Sequence, residues 1–353
     1  MELNRSSKPT TFIRADGSKA IGMGHLNRAY LMAEMLKERF GSAVRVLMRK
    51  DASGEAFARR RGLDVVSFDA ATVKEEIEFL QVMAFKESPV LVVLDVLEND
   101  TDAFYMDCLH KFGAPIVAIT DDSFKHAIDA DLIVNGNPAQ IGQGYSGERG
   151  KYLLGPKHFL MDEAYAGLLQ DPPGDTVQKV LITLGASDHH DLLFKLLSVL
   201  KEVRQDFSMV LVVSSASGYL ERLKKFLNDY PRKYDLYVDA PTLVPFWKQA
   251  DAAITAGGNT LFERIATRVP GATLCQLRRQ NEIADSFEKL GVNFNLGFGP
   301  ELTEEDIKNK LEDFLSDFSS RLKQYELSRQ HADGKGLQRL GNELEPLLKG
   351  VTS

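Results

Sequence analysis

The sequence predicts an α/β protein with two Rossmann-like, doubly wound domains facing a central cleft. Three observations lead to this prediction. Short apolar runs alternate with amphipathic stretches along the 353 residues, which is typical of parallel sheets covered by helices. The alternation stops once, at LLQDPPGDTVQK (168–179), and then restarts. The chain is also longer than one hydrophobic core usually serves.

The first half carries six strand-like runs. They are TTFIRAD, AVRVLMRK, LDVVSFD, PVLVVLDV, PIVAITD and DLIVNGN, and their Val, Ile and Leu content suits strands buried on both faces. Helical patterns lie between most of them, for example TVKEEIEFLQVMAFK at 72–86 and TDAFYMDCLHKFG at 101–113. We therefore predict an N-terminal Rossmann-like domain over 1–170.

The second half repeats this arrangement after a linker rich in proline and glycine. Its strand-like runs are KVLITLGA, FSMVLVVSS, YDLYVDA, DAAITAG and GATLCQL, and from Thr303 onward the patterns are helical. We predict a C-terminal Rossmann-like domain over 171–335. The remaining 336–353 form a helix suited to packing back on the first domain.

Composition argues against several classes of protein. The net charge is −7 and no run of Lys and Arg would supply a basic stripe, which disfavours a nucleic-acid partner. No window approaches the roughly 20 apolar residues of a membrane span, and the N-terminus lacks the apolar stretch of a secretion signal. Both cysteines lie in helix- or strand-like patterns, which disfavours a disulfide or a cysteine metal site. We expect a cytoplasmic protein.

The stretch AIGMGHLNRAYLMAEML follows the first strand and begins a helix. Gly22 and Gly24 lie at this turn, where glycine permits positive φ and lets backbone amides approach a ligand. The helix N-terminus favours anions and favours a neutral imidazole at His25, which is the form that a general base requires. A histidine here also suits a capping or packing role, and the local sequence leaves both roles open.

A similar turn occurs in DAAITAGGNTLFE. Gly257 and Gly258 follow a buried strand, and Asn259 or Thr260 is expected to cap the next helix. Glu263 falls about one turn inside that helix. Its carboxylate suits either a ribose diol in front of the helix or a capping box with its own backbone.

A third turn lies in LITLGASDHH, where Gly185 and Ala186 precede a helix capped by Ser187 or Asp188. Helix N-termini at Gly185 and Gly258 are suited to supporting the charge of a leaving diphosphate. The two adjacent histidines diverge on a helix and do not predict a metal site. The three turns are expected to line a cleft between the domains.

These motifs occur in an order that resembles the UDP-sugar hydrolases of pseudaminic acid biosynthesis (PseG) and the related spore-coat polysaccharide protein family SpsG. The matching strings are IRADGSKAIGMGHLNR, TDDSFKHAIDADLIVNGNP, YLLGPKHFLMDEAY, LITLGASD and ADAAITAGGNTLFE, followed by Gln280. The resemblance covers 11–340. It implies the glycosyltransferase-B fold, a UDP-sugar partner bound mainly by the C-terminal domain, and a monomer.

The resemblance also implies roles for single residues. In the hydrolases the matching histidine is proposed to activate water, which makes His25 the expected catalytic base. The expected substrate-binding residues are Arg14, Asp16, Gly22, Gly24, Asn27, Asp95, Asp121 and Asp122. The expected nucleotide-binding residues are Gly185, Ala186, Gly257, Gly258, Asn259, Thr260, Glu263 and Gln280.

The chain departs from the pseudaminic hydrolases after Asp95. Those enzymes carry His or Tyr residues there, whereas this chain continues with Val96 and Leu97. Met161 and Asp162 also replace a typical leucine and arginine. Both changes favour the SpsG side of the family.

The predicted reaction is hydrolysis of a UDP-linked acetamido sugar at the anomeric C–O bond with inversion, in synthesis of a surface polysaccharide or nonulosonic-acid-type sugar. UDP is a good leaving group, so one base suffices and no metal or other cofactor is expected. An inverting glycosyltransferase is the alternative, and FARRR at 57–61 suits either a lipid acceptor or a solvated helix face. A non-catalytic nucleotide-sugar binding protein is the third possibility.

Overall fold

The fold consists of two compact α/β units. The structure, a computed structural model, describes residues 8–18, 21–96, 103–121, 128–142, 150–168, 170–185, 188, 190–215 and 218–352. Unit 1 comprises Met1–Asp162 together with Lys335–Ser353, and unit 2 comprises Glu163–Gly334. The predicted α/β class with two Rossmann-like domains is confirmed by the two parallel sheets.

Unit 1 contains a seven-stranded parallel sheet in the order β3-β2-β1-β4-β5-β6-β7. Its strands are β1 (Thr10–Ala15), β2 (Ala43–Arg49), β3 (Val65–Phe68), β4 (Leu91–Asp95), β5 (Ile116–Thr120), β6 (Leu132–Asn135) and β7 (Lys151–Leu154). The helices between them are α1 (Gly24–Phe40), α2 (Ala52–Arg60), α3 (Val73–Glu87) and α4 (Ala103–His110).

Apolar residues cover both faces of this sheet. Along β1, Ile13 belongs to a core cluster with Leu26 of α1, whereas Phe12 belongs to a second cluster with Ile77 of α3. Successive residues of a strand point to opposite faces, so a strand in the middle of a doubly wound sheet is apolar throughout. The continuous apolar runs in the sequence have this cause.

Unit 2 contains a six-stranded parallel sheet in the order β10-β9-β8-β11-β12-β13. Its strands are β8 (Lys179–Thr183), β9 (Ser208–Val213), β10 (Tyr234–Val238), β11 (Ala252–Thr255), β12 (Gly271–Cys275) and β13 (Phe294–Phe298). Its helices are α5 (Leu192–Leu200), α6 (Leu220–Leu227), α7 (Val244–Trp247), α8 (Asn259–Ala266), α9 (Arg278–Lys289), α10 (Glu304–Ser316) and α11 (Phe318–His331).

The last helix, α12 (Gly336–Thr352), belongs to unit 1. Leu340 and Leu344 enter the same core cluster as α1, and Arg39 Nη2 donates to Asn342 Oδ1 at 2.8 Å. The first division between the units lies between residues 162 and 163, whereas the sequence predicted it between 170 and 171. Residues 163–170 belong to unit 2, and one contact of this segment within unit 2 is the hydrogen bond from the Tyr325 hydroxyl to the Gln170 carbonyl at 2.9 Å.

Two strands, β7 and β13, were not predicted from the sequence. Both lie at the edge of a sheet, where burial is incomplete and the apolar signal is therefore weaker. In β13, Gly297 has φ +118°, and the pairing with β12 shifts register between Thr273 and Leu274. A glycine within a strand is typical of such irregularities.

Each sheet has one point at which the strand order reverses. In unit 1 this point lies between β1 and β4, and in unit 2 it lies between β8 and β11. Ligands of doubly wound sheets bind beyond the carboxyl ends of the strands at such points. Among the described residues, no helix has both the length and the apolar character needed to cross a membrane.

Candidate functional site

The turn after β1 brings α1 to the strand-order reversal of unit 1. Ser18 and Gly22 exchange two backbone hydrogen bonds, of 3.3 and 2.9 Å, at this turn. Gly22 has φ +83°, a conformation that favours glycine. Gly24 is the first residue of α1, so His25 lies in the first turn of the helix.

His25 pairs with the carboxylate of Asp95. Asp95 is the last residue of β4 and lies beside Ala15 of β1, so both partners lie at the reversal point. His25 Nδ1 is 2.7 Å from Asp95 Oδ1, and the His25 side chain is 12% exposed. An ionised carboxylate only accepts hydrogen bonds, so Nδ1–H donates to Asp95, and in the neutral form of the imidazole the lone pair is then on Nε2.

Asp95 is ionised in the folded protein. It is fully buried, and burial by itself raises the pKa of its carboxyl. Arg28 and His25 outweigh that effect through charge and hydrogen bonding, and they lower the pKa of Asp95 to about 2. The carboxylate is therefore charged over the whole physiological pH range.

Arg28 is a site residue that the sequence analysis missed. Its guanidinium is 3% exposed and lies between two carboxylates. Nε and Nη2 donate to the two oxygens of Asp95 at 2.9 and 2.6 Å, and Nη1 donates to both oxygens of Asp121 at 2.6 and 2.8 Å. The signal for Arg28 was its spacing, because a residue three positions after His25 shares its helix face.

Asp121 follows β5, and Asn137 Nδ2 donates a hydrogen bond to the backbone carbonyl of Asp121 at 3.0 Å. The structure thus brings the predicted residues His25, Asp95 and Asp121 together around Arg28. Asp122 and the segment 97–102 lie outside the described residues. Asn27 lies two positions after His25 on α1 and therefore on a different helix face.

Arg14 and Asp16 belong to a second ionic cluster in unit 1. Arg14 is 1% exposed, and its Nε donates to Glu76 Oε1 at 2.7 Å. Arg14 Nη2 donates to Asp16 Oδ2 at 2.7 Å, and Tyr105 donates to Glu76 at 2.8 Å. Arg49 pairs with the other Glu76 oxygen at 2.8 Å. A role for Arg14 and Asp16 on the sugar side stays a prediction.

In unit 2 the reversal point is lined by the turns after β8, β11 and β12. Gly185 follows β8 with φ +91°, and Ala186 lies outside the described residues. Gln276, which follows β12, donates from Nε2 to the Leu184 carbonyl at 2.5 Å. This hydrogen bond ties the ends of β8 and β12 together.

The N-terminus of α5 is occupied by a side chain of the protein. The Asp188 carboxylate accepts hydrogen bonds from the Leu192 and Leu193 amides at 2.9 and 2.8 Å. These are amides that a phosphate would need. The prediction that the helix after Gly185 supports a diphosphate is therefore wrong for these two amides.

The helix after Gly257 is different. Its N-cap is Gly258, not Asn259 or Thr260 as predicted, because α8 already begins at Asn259. Gly258 has no side chain that could occupy the first amides of α8. Glu263 is then the fifth residue of α8, whereas a capping box needs the carboxylate at the third. The capping-box interpretation of Glu263 is therefore wrong.

Gly257 and Gln280 lie against each other. A Cβ at Gly257 would lie 2.7 Å from the Gln280 carbonyl oxygen, whereas a Cβ at Gly258 would meet only Gln280 Nε2, at 3.8 Å. Gln280 Oε1 accepts from the Gln276 amide at 2.9 Å. The structure thus brings the predicted Gly257, Gly258 and Gln280 together at one turn.

This difference between the glycines gives a matched pair of variants. Gly257→Ala is expected to lower the free energy of unfolding by about 1–3 kcal/mol, because α9 must shift to admit the methyl group. Gly258→Ala is expected to change it by under about 1 kcal/mol. Urea unfolding of both variants measures the effect, and equal losses would contradict the tight approach of α9.

No group of three or more His, Cys, Asp or Glu side chains within the described ranges is arranged to hold a metal ion. The chemistry available in unit 1 is that of a histidine base with a buried carboxylate partner. In unit 2 it is that of a glycine turn before a helix whose N-cap carries no side chain. Each feature is compatible with binding of an anionic substrate.

Comparison with solved structures shows the fold. MurG of Acinetobacter baumannii matches 96% of this chain and 100% of its own, with a TM-score of 0.72 and 13% sequence identity. The spinosyn rhamnosyltransferase SpnG, complexed with thymidine diphosphate, matches 94% of this chain and 99% of its own, with a TM-score of 0.65 and 13% identity. The protein therefore has the predicted glycosyltransferase-B fold.

Comparison with curated sequences gives a relationship over nearly the whole chain. No protein-family model matches. The spore coat polysaccharide biosynthesis protein SpsG of Bacillus subtilis (strain 168) is 28% identical over 345 residues, which are 95% of this chain and 97% of SpsG. The chain is thus similar to SpsG over nearly its whole length. This confirms the resemblance predicted from its motifs.

A second relative is the uncharacterized protein MJ1062 of Methanocaldococcus jannaschii, which is 24% identical over 291 residues. That match covers 78% of this chain and 58% of MJ1062.

Proposed function

We propose that this SpsG-like protein hydrolyses a UDP-linked acetamido sugar at the anomeric C–O bond with inversion, releasing UDP. The product would serve synthesis of a surface polysaccharide or a nonulosonic-acid-type sugar. The His25–Asp95 pair carries the proposal, because it holds a basic nitrogen at the strand-order reversal of unit 1. The name of the relative SpsG supports polysaccharide biosynthesis as the setting.

His25 acts as the general base in this reaction. Nε2 accepts a proton from water as the water oxygen bonds to the anomeric carbon. The bond between that carbon and the β-phosphate oxygen breaks, and its electron pair leaves with UDP. Attack from the face opposite UDP inverts the configuration. Asp95 stabilises the imidazolium that forms, and a positioned base is worth about 100- to 10,000-fold in rate.

Unit 2 binds the nucleotide in this proposal. Gly257 and Gly258 let the backbone approach the diphosphate. The backbone amides of Asn259 and Thr260 at the start of α8 then lie toward its negatively charged oxygens. Glu263 takes the ribose diol and Gln280 a diphosphate oxygen. The complex of SpnG with thymidine diphosphate supports a nucleoside diphosphate as the ligand of this fold. UDP leaves with its charge spread over two phosphates, so helix amides suffice without a metal or other cofactor.

We further propose that the protein works in the cytoplasm as a monomer and without a nucleic-acid partner. The net charge of −7 supports the last point, since binding to phosphate backbones requires a basic surface.

The second candidate function is an inverting glycosyltransferase, in which His25 deprotonates an acceptor hydroxyl instead of water. It is favoured by the transferase activity named for SpnG, which shares the fold. The FARRR segment supports it less. Arg59 pairs with Glu55 at 3.1 Å, and Arg61 lies over the ring of Tyr30 at 5.0 Å, as expected for a solvated helix face.

A release assay separates these functions. Purified protein is incubated with a panel of UDP-acetamido sugars, with and without acceptor alcohols, and UDP is quantified by chromatography. The proposal predicts UDP release in buffer alone, unchanged by a metal chelator. Release that requires an acceptor would instead support the transferase, and tight UDP binding without turnover would support a binding protein.

A further inference from the structure

We infer that Arg28 is a positioning residue that sets the tautomer of His25. By holding Asp95 with both oxygens fixed, Arg28 keeps the His25 proton on Nδ1 and leaves Nε2 as the basic nitrogen. The effect on rate rests on the proposed function. The tautomer itself is a property of the protein without substrate and is measured separately.

The Arg28 guanidinium fixes the orientation of the Asp95 carboxylate. Its Nε and Nη2 donate to Asp95 Oδ2 and Oδ1 at 2.9 and 2.6 Å, so the carboxylate cannot rotate without losing both hydrogen bonds. Nη1 donates to both oxygens of Asp121, which fixes the guanidinium from its other end. A lysine has no such planar fork and cannot hold both carboxylates in this way.

The fixed carboxylate selects one of the two neutral tautomers of His25. His25 Nδ1 lies 2.7 Å from Asp95 Oδ1 and 2.9 Å from Arg28 Nη2. If Nδ1 were unprotonated, its lone pair would face a charged carboxylate oxygen at 2.7 Å, and two acceptors that close repel each other. With the proton on Nδ1, His25 donates to Asp95, while Arg28 Nη2 directs a hydrogen to the same oxygen.

Removal of Arg28 would release this arrangement. Asp95 would remain buried without both hydrogen bonds from Arg28, and its carboxylate would be free to rotate away from His25 or to take up a proton. The imidazole would then lose the partner that selects Nδ1–H. Its Nε2 would carry a proton in part of the molecules, and in those it could not accept one from water.

The experiment reads the tautomer directly. Wild-type protein labelled with ¹⁵N-histidine is examined by long-range ¹H–¹⁵N correlation spectroscopy near neutral pH, and the His25 signals are assigned by their loss in His25→Gln. We expect a protonated Nδ1 and an unprotonated Nε2. Arg28→Met is expected to give a mixture of tautomers, and Arg28→Lys a smaller shift in the same direction.

Arg39→Met is the matched control, because Arg39 lies on the same helix and pairs at the surface with Glu345. It is expected to leave the His25 signals unchanged. For UDP release, Arg28→Met is expected to lower kcat roughly 100-fold with KM changed by less than about threefold. A role limited to folding would lower the amount of active protein but would not change the tautomer.

Two results would overturn the inference. One is an Nε2-protonated His25 in the wild-type protein, which needs no variant to fold. The other is an unchanged Nδ1–H tautomer in both Arg28 variants. If the wild type shows the expected tautomer but releases no UDP from any UDP-sugar, the proposed function fails and the positioning role of Arg28 stands.

Discussion

Replacing His25 by alanine is expected to lower kcat for UDP release by about 100- to 10,000-fold, with little change in KM. The methyl group of alanine cannot accept the proton that Nε2 takes from water. The helix amides and glycine turn proposed to bind the nucleotide lie in unit 2, whereas His25 lies in unit 1. Steady-state kinetics at several pH values, with UDP quantified by chromatography, measure this effect.

The control for this prediction is His110→Ala. His110 is also a histidine of unit 1, on α4, and its Nε2 pairs with Asp129 Oδ2 at 3.1 Å on the protein surface. Its removal is expected to leave kcat within about twofold of wild type. A fall of less than about tenfold in His25→Ala would place the base on another residue.

Replacing Glu76 by glutamine is expected to lower the free energy of unfolding by about 3 kcal/mol or more. The substitution keeps the shape of the side chain but leaves the fully buried Arg14 without the carboxylate that bonds its Nε at 2.7 Å. It also removes the ion pair with Arg49. Arg14 keeps its ion pair with Asp16, but the buried carboxylate that it shares with Arg49 is lost, and removing one partner of a buried ion pair is strongly destabilising. Denaturant unfolding measures it.

The matched control lies on the same helix. Glu87, the last residue of α3, pairs with Arg45 at 3.0 Å, and both side chains are partly exposed. Glu87→Gln is expected to cost under about 1 kcal/mol, because water screens surface ion pairs. If both variants lost the same free energy of unfolding, burial would not be the reason why the Arg14–Glu76 pair stabilises the protein.

The stability that the Arg14–Glu76 pair contributes depends on pH. Burial raises the pKa of Glu76, but hydrogen bonding and charge from Arg14, with Tyr105 and Arg49, outweigh it and lower the pKa below its ordinary value. A lowered folded-state pKa contributes stability above the unfolded-state pKa of about 4.3, and that stability is lost as the pH falls through the folded-state value. The difference in free energy of unfolding between wild type and Glu76→Gln should therefore become smaller below about pH 4.

Much of the fold could be predicted from the sequence because it depends on periodic apolar patterns. Buried central strands such as β1 and β4 are visible as continuous apolar runs. The edge strands β7 and β13 were missed because their patterns are only partly apolar. The start of α8 was misplaced because asparagine and threonine are stronger capping signals than the glycine that caps it.

The candidate site was less accessible from the sequence because its contacts are long-range. The partners His25 and Asp95 are 70 residues apart, and Arg28 reaches Asp121 across 93 residues. Each residue type was visible, but the sequence contains no local sign that they meet. The buried Glu76, 62 residues from Arg14, was missed for the same reason, since a glutamate in a helical pattern is normally solvent-exposed.

The most direct test of the central claim, that His25 activates water for attack at the anomeric carbon, is mass spectrometry of the products formed in ¹⁸O-water. The account predicts one ¹⁸O atom in the released sugar and none in UDP, together with loss of labelled sugar in His25→Ala. Label in the terminal phosphate of UDP would show that the phosphorus–oxygen bond breaks instead, which would contradict the account.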